Sequence, residues 1–170
     1  LDGSPTAGKA TSISDRNGNT LRFVYDAAGR LTTVFDTLNR PITVEYNSAG
    51  LIQSLTDFTG RRVSYDYYSD GDARGSAGDL RSVTTPAVVG TPNGNDFPDG
   101  KTTVYTYSKG FADERLNHNL LTVSDAKGQT YVQNCYYGGT NPSDRNFDRV
   151  VRQFWGDQGN CNDPAPTGDV

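Results

Sequence analysis

The stretch of this chain richest in chemistry-bearing side chains runs YSDGDARGSAGDL from Tyr68, placing Asp70, Asp72 and Asp79 among Gly71, Gly75 and Gly78. Acids alternating with glycines are the raw material of an oxygen-ligand calcium loop. No Glu stands at the twelfth position, so the spacing is not that of an EF-hand, and a solvated loop is the preferred reading. The single histidine, His118 in RLNHNLL, has no Ser or Cys partner arranged beside it in sequence. Cys135 could serve it as a nucleophile only if the fold brought the two together. An exposed turn histidine is the simpler expectation. Cys135 and Cys161, the two cysteines, form no CxxC and lie far from His118, which argues against a metal site. A disulfide between them or two free thiols remain, and an extracellular setting favours the bond. No GxxxxGKS or GxGxxG is present to cradle a phosphate.

The other acids are periodic. Asp15, Asp36 and Asp57 recur every 21 residues, and ten residues after each stands a tyrosine, Tyr25, Tyr46 and Tyr67. Between them lie Gly18-Asn19, Asn39-Arg40 and Gly60-Arg61, then apolar or aromatic pairs at fixed offsets. General acid–base catalysis needs two carboxylates converging on one substrate, not one carboxylate per turn along an edge. An Asp before x-x-Gly suits a turn: its side chain accepts the backbone N–H two residues on, and Gly or Asn supplies the positive φ that closes it. The aromatics have two readings. Stacked across neighbouring strands they are ladder pairs worth roughly 0.2–1 kcal/mol each; exposed, they are platforms for sugars. Tyr136, Tyr137 and Trp155 lie outside the strict repeat and are the candidate ligand contacts.

These side chains are positioned by strands. Leu21, Phe23 and Tyr25 alternate with Arg22 and Val24; Ile42, Val44 and Tyr46 with Thr43 and Glu45; Val63, Tyr65 and Tyr67 with Ser64 and Asp66. Period-two alternation of β-branched and aromatic residues predicts half-buried strands. A second turn follows each, Asp26-Ala-Ala-Gly29-Arg30 or Asn47-Ser-Ala-Gly50, and then a second short strand such as Leu31 to Phe35. In that second strand the apolar residues fall three apart (Leu31 and Val34, Ile52 and Leu55, Leu80 and Val83, Leu120 and Val123). A bulge or an early turn would produce this offset. Aligning Gly78-Asp79-Leu80 with Gly29-Arg30-Leu31 implies an insertion of about seven residues in one turn, and later units begin near residues 97 and 125, the latter with Asp125 and Gly128. Insertions on one edge with persistent strands are what a repeat array tolerates.

Composition fits. Of 170 residues 34% are hydrophobic, with 19 Gly, 8 Pro and 10 Tyr, a mix suited to strands joined by many turns. The net charge of −4, with Arg and Lys scattered among acids, offers no basic field for nucleic acid. No apolar run approaches the roughly 20 residues of a membrane-spanning helix. Starting LDGSPTAG without Met or a signal-like stretch, the chain reads as an excised or processed fragment.

The phrase FVYDAAGRLTTVFD resembles the tyrosine–aspartate (YD) repeat of the Rhs and teneurin group. Tyr25-Asp26, Gly29-Arg30 and Leu31 carry the likeness in full, and Tyr46-Asn47 and Gly50 in part, with Leu51 in place of Arg. Tyr65-Asp66 also spells the dipeptide, but Tyr67 occupies the equivalent column. The resemblance implies an all-β fold: repetitive antiparallel hairpins of a YD-repeat sheet, nine or ten short strands, twisted and curled as a segment of a β-shell. It further implies a structural role, as part of a secreted or surface shell that encloses or displays a toxin or adhesion module, with no catalytic, cofactor or metal residues. Asp15, Gly18, Tyr25, Asp26, Gly29, Arg30, Asp36, Tyr46, Gly50, Asp57, Gly60, Tyr67, Asp125 and Gly128 are then repeat residues. Residues 1–12 read as a lead-in, 13–159 as the repeat sheet and 160–170 as a flexible tail. Expected partners are flanking repeats of a parent protein, or further copies joined through open sheet edges, with glycans as ligands in the alternative reading of a carbohydrate-binding module.

Overall fold

The computed structural model of the chain describes residues 4, 6–156 and 159–162. It is all-β: β1 (Ser12–Ser14), β2 (Thr20–Tyr25), β3 (Leu31–Phe35), β4 (Pro41–Tyr46), β5 (Ile52–Thr56), β6 (Arg62–Tyr67), β7 (Leu80–Thr84), β8 (Thr102–Tyr107), β9 (Leu120–Ser124), β10 (Thr130–Tyr136) and β11 (Val150–Trp155). One turn of 3-10 helix, Glu114–Leu116, is the only helix among the described residues. The strands form one sheet in chain order with β1 and β11 outermost, the hairpin sheet expected from the repeat. Among the described residues there are eleven strands rather than nine or ten; β1, formed against β2 by residues at the edge of the assigned lead-in, has no apolar alternation to announce it. Two compact units divide the chain, Leu1–Tyr65 with Thr85–Gly100, and Asp66–Thr84 with Lys101–Val170.

In the first unit the cross-strand register sorts the side chains by face. Phe23, Val34 and Ile42 stand opposite one another, as do Val44, Leu55 and Val63, so the apolar sets share one face. Val24, Thr33, Thr43, Thr56 and Arg62 line up on the other. This is the alternation read from sequence, turned into rows by the two-residue side-chain period. The apolar face is thinly covered: Val44 is buried, while Leu21, Ile42 and Ile52 remain 37–43% exposed.

The three-residue spacing of the second strands is a bulge. Val24 faces Thr33 but Tyr25 faces Leu31, so Thr32 is the extra residue. Glu45–Ser54 and Tyr46–Ile52 leave out Gln53 in the same way, and Thr106–Thr122 and Tyr107–Leu120 leave out Leu121. One residue that does not count in the register returns Leu31 and Val34 to one face. The early-turn alternative is not what the backbone adopts.

The second unit keeps the strands and lengthens the turns. β7 to β11 pair antiparallel in sequence order. Its apolar core is Tyr68, Leu116, Val123, Val132 and Cys135, with Asn117 and Asn134 buried among them and hydrogen-bonded. Cys135 on β10 is disulfide-bonded to Cys161. Of the tail assigned to residues 160–170, positions 163–170 lie outside the described residues; Cys161 is held by this bond.

Candidate functional site

The repeated carboxylates are turn-builders. Asp36 Oδ1 accepts the backbone N–H of Leu38 and of Arg40, both at 2.9 Å. Asp57 does the same for Thr59 and Arg61, Asp125 for Lys127 and Gln129, and Asp15 for Asn17 and Asn19. Asn47 does it for Ala49 and Leu51 without a charge. In three turns the other oxygen, Oδ2, takes the Nε of an arginine four residues on: Asp26–Arg30 at 2.9 Å, Asp36–Arg40 at 2.6 Å and Asp57–Arg61 at 2.8 Å. Each turn then closes through positive φ at its fourth residue, Gly18, Gly29, Asn39, Gly50, Gly60 or Gly128. These bonds favour the carboxylate form. The Thr59 hydroxyl and Arg61 hold Asp57 far below the usual range, the Arg40 guanidinium lowers Asp36, the Arg30 N–H lowers Asp26, and the Asn19 amide lowers Asp15. Carboxylates so engaged are poor proton shuttles.

Tyrosine and the turn cation link one unit to the one before. Tyr46 Oη donates to the Leu31 carbonyl at 2.8 Å, and Arg30 lies 4.9 Å above the Tyr46 ring. Tyr25 Oη donates to the Ala10 carbonyl at 2.8 Å, with Lys9 over its ring at 5.3 Å. Lys9-Ala10 therefore stands where Arg30-Leu31 stands one unit later, and Gly8, with φ of 74°, where Gly29 stands. The cations stack on the rings at distances where cation–π attraction acts.

In the second unit three successive turns at the tyrosine end carry insertions. A short turn closes with Asp26 N–H on the Arg30 carbonyl; the same bond is made by Tyr68 to Asp79, by Ser108 to Asn119 and by Tyr137 to Arg149. The closing residues with positive φ are Gly78, His118 and Asp148, so His118 fills the column that Gly29 fills in a short turn. The long turns are cross-tied. His118 Nδ1 meets Asp79 Oδ1 at 2.7 Å, Lys109 Nζ donates to the carbonyls of Asp72 and Gly75, and Asn119 Nδ2 donates to Asp148 Oδ1 at 2.6 Å. Tyr68, in the column of Asp26, is buried, donates to the Tyr105 carbonyl at 2.7 Å and meets Tyr107 edge-on at 6.4 Å. Among these turns and the ends of β8 to β10 lies a cleft of about 450 Å³, lined by Tyr107, Phe111, Leu116, Leu121, Tyr136, Tyr137 and the Cys135–Cys161 bridge, with Ser108, Lys109, Asn119 and Asn134 as its polar wall.

The spacing of Asx turns, the bulge after each tyrosine and the stack of turn cation on the next tyrosine make one repeating unit. The RHS Repeat family model matches residues 6–40 and 25–62. Residues 6–62 are thus similar to YD/Rhs-repeat proteins. No curated protein matches the chain. The first Rhs match begins within the stretch that holds Gly8, Lys9 and Ala10, where the tyrosine contacts place the end of an earlier unit.

The repeated turns account for most of the residues singled out from sequence. Asp15, Asp26, Asp36, Asp57 and Asp125 each serve their own turn; Asp15 and Asp36 line one surface pocket, but each is engaged by the N–H groups of its own turn. In the acid–glycine stretch, Asp72 Oδ2 accepts the Ser69 N–H and hydroxyl, and Asp79 Oδ2 accepts the Ser76 N–H. No three His, Cys, Asp or Glu side chains gather as a metal-binding group among the described residues. His118 is exposed and paired with Asp79, and Cys135 is in a disulfide, so the two make no nucleophile–base pair. Of the three candidate ligand contacts, Tyr136 and Tyr137 line the cleft, whereas Trp155 stands on β11, 69% exposed and outside it. Tyr68 and Lys109 were missed; the available signal was that Tyr68 and Ser108 occupy the column of Asp26.

Proposed function

We propose that this chain is a non-enzymatic structural segment of a secreted or surface Rhs-type shell, one that encloses or displays a toxin or adhesion module. The observation that carries the reading is the fate of the carboxylates: the one side chain repeated often enough to be catalytic is consumed in turn geometry, copy after copy. The Rhs match supports the structural role, and the disulfide fits an oxidising compartment. No helix among the described residues is long and apolar enough to cross a membrane. The repeat sheet spans residues 13–159 in this reading, and the curl of a shell arises when flanking repeats of the parent protein, or further copies, extend it from β1 and β11. Light scattering coupled to size-exclusion chromatography tests this on the isolated chain. Ordered oligomers that grow with concentration are expected; a compact monomer at every concentration would contradict edge-mediated assembly.

The cleft in the second unit favours a second reading, a module that binds carbohydrate through aromatic side chains. Three of its lining residues are tyrosines, and insertions confined to one end of the strands are where a repeat scaffold carries variable loops.

A further inference from the structure

We infer that the cleft at the tyrosine end of β8 to β10 is a binding site for a neutral mono- or disaccharide, with the Tyr107 and Tyr136 hydroxyls as its ligand-facing hydrogen-bonding groups; the inference rests on the carbohydrate reading above and places its site. At about 450 Å³ the cleft falls within the roughly 300–1,000 Å³ that small-molecule sites occupy. Its polar wall is largely spoken for. Ser108 Oγ donates to the Leu116 carbonyl at 2.6 Å, Asn134 Nδ2 to the Leu120 carbonyl at 2.9 Å, and Asn119 to Asp148. Among the described residues Lys109 is the only charged one in the lining, and its Nζ is turned to the carbonyls of Asp72 and Gly75 at 2.5 and 3.2 Å. A cation held by two carbonyls is a weak anchor for an anion, so the cleft selects no net charge.

Tyr107 and Tyr136 differ from that wall. Neither hydroxyl has a protein hydrogen-bond partner among the described residues. Burial raises the pKa of both above the usual tyrosine value, so each stays a neutral hydroxyl able to donate and to accept. An apolar ligand would leave these two hydroxyls unsatisfied, whereas a sugar meets each with a hydroxyl of its own. The rings supply the apolar faces against which C–H faces of a pyranose pack. The walls are preorganised. Tyr137 Oη donates to Asp144 Oδ2 at 2.8 Å, and a Cβ at Gly139 would fall 2.3 Å from the Tyr137 ring, so only glycine admits that ring position. Tyr107 is fixed edge-on against the buried Tyr68.

The test is ligand-observed NMR on the full chain with maltose, cellobiose, lactose and diacetylchitobiose at millimolar concentration, and 1-anilinonaphthalene-8-sulfonate as the apolar probe. At least one disaccharide is expected to bind, with Tyr136→Phe and Tyr107→Phe each weakening it about tenfold, the equivalent of one hydrogen bond. Trp155→Ala is expected to leave binding unchanged. Near-UV circular dichroism confirms that the phenylalanine variants keep their packing. Disaccharide binding lost in Trp155→Ala but kept in both phenylalanine variants would overturn the cleft site and leave the carbohydrate reading standing. Absence of all saccharide binding would overturn both, and uptake of the apolar probe alone would mark the cleft as an apolar pocket.

Discussion

At the scale of single residues, the account rests on what a side chain must do at each column of the repeat. Asn39 shows the rule from the other side: with φ of 60° it does the work that Gly18, Gly29 and Gly60 do elsewhere. Gly29→Ala places a Cβ in the left-handed region and is expected to lower stability by about 1 kcal/mol, while Asn39→Gly leaves it equal or slightly higher; chemical denaturation checks both. The acids make a pH prediction. Asp15, Asp26, Asp36 and Asp57 have folded-state pKa values below those of the unfolded chain, held down by turn N–H groups and by Asn19, Arg30, Arg40, Thr59 and Arg61. Their stabilisation is therefore fully present above the unfolded carboxylate range near pH 4 and drains away as pH falls through the lower folded values. Thermal melts should hold steady from neutral pH to about pH 5 and decline below pH 4. Asp57→Asn, which keeps the turn acceptor as Asn47 does, should flatten part of that decline. These columns were legible in the sequence because each turn is local: donor and acceptor lie within five residues of one another.

At the scale of elements, strands and short turns followed from pattern, and the long turns did not. Period two and the Asp-x-x-Gly phrase located β2 through β6, and the spacing of Leu31 and Val34 carried the bulge without distinguishing it from an early turn. The three insertions have no period, and their ties (His118 to Asp79, Asn119 to Asp148) join residues 39 and 29 positions apart, which no local rule reaches. One glycine there makes a sharp test. A Cβ at Gly75 would fall 2.3 Å from the ring of Tyr68, whose body is buried and whose hydroxyl is bonded to the Tyr105 carbonyl. Gly75→Ala should therefore cost about 1–3 kcal/mol by overpacking, against little for Gly71→Ala beyond its own φ strain; paired denaturant melts compare the two. The Cys135–Cys161 bond closes a loop of 26 residues, so reduction should lower stability by about 3–4 kcal/mol, read as a shift in denaturation midpoint with and without a dithiol.

At the scale of the whole molecule, the sheet has two outermost strands and nothing paired beyond them among the described residues. β1 is three residues long and exposed throughout, and β11 carries Val150, Val151 and Trp155 at 45%, 56% and 69% exposure. Edges of this kind are normally covered or paired. A wall segment uses them, and a self-contained binding module has no need of them. Amide hydrogen exchange across a concentration series decides between the two most directly. If the chain is a wall segment, exchange at the amides of β1 and β11 slows as concentration rises, while the inner strands β3 to β5 and β8 to β10 stay protected throughout. If β1 and β11 exchange equally fast at every concentration, the edges take no partner and the chain is not built to extend.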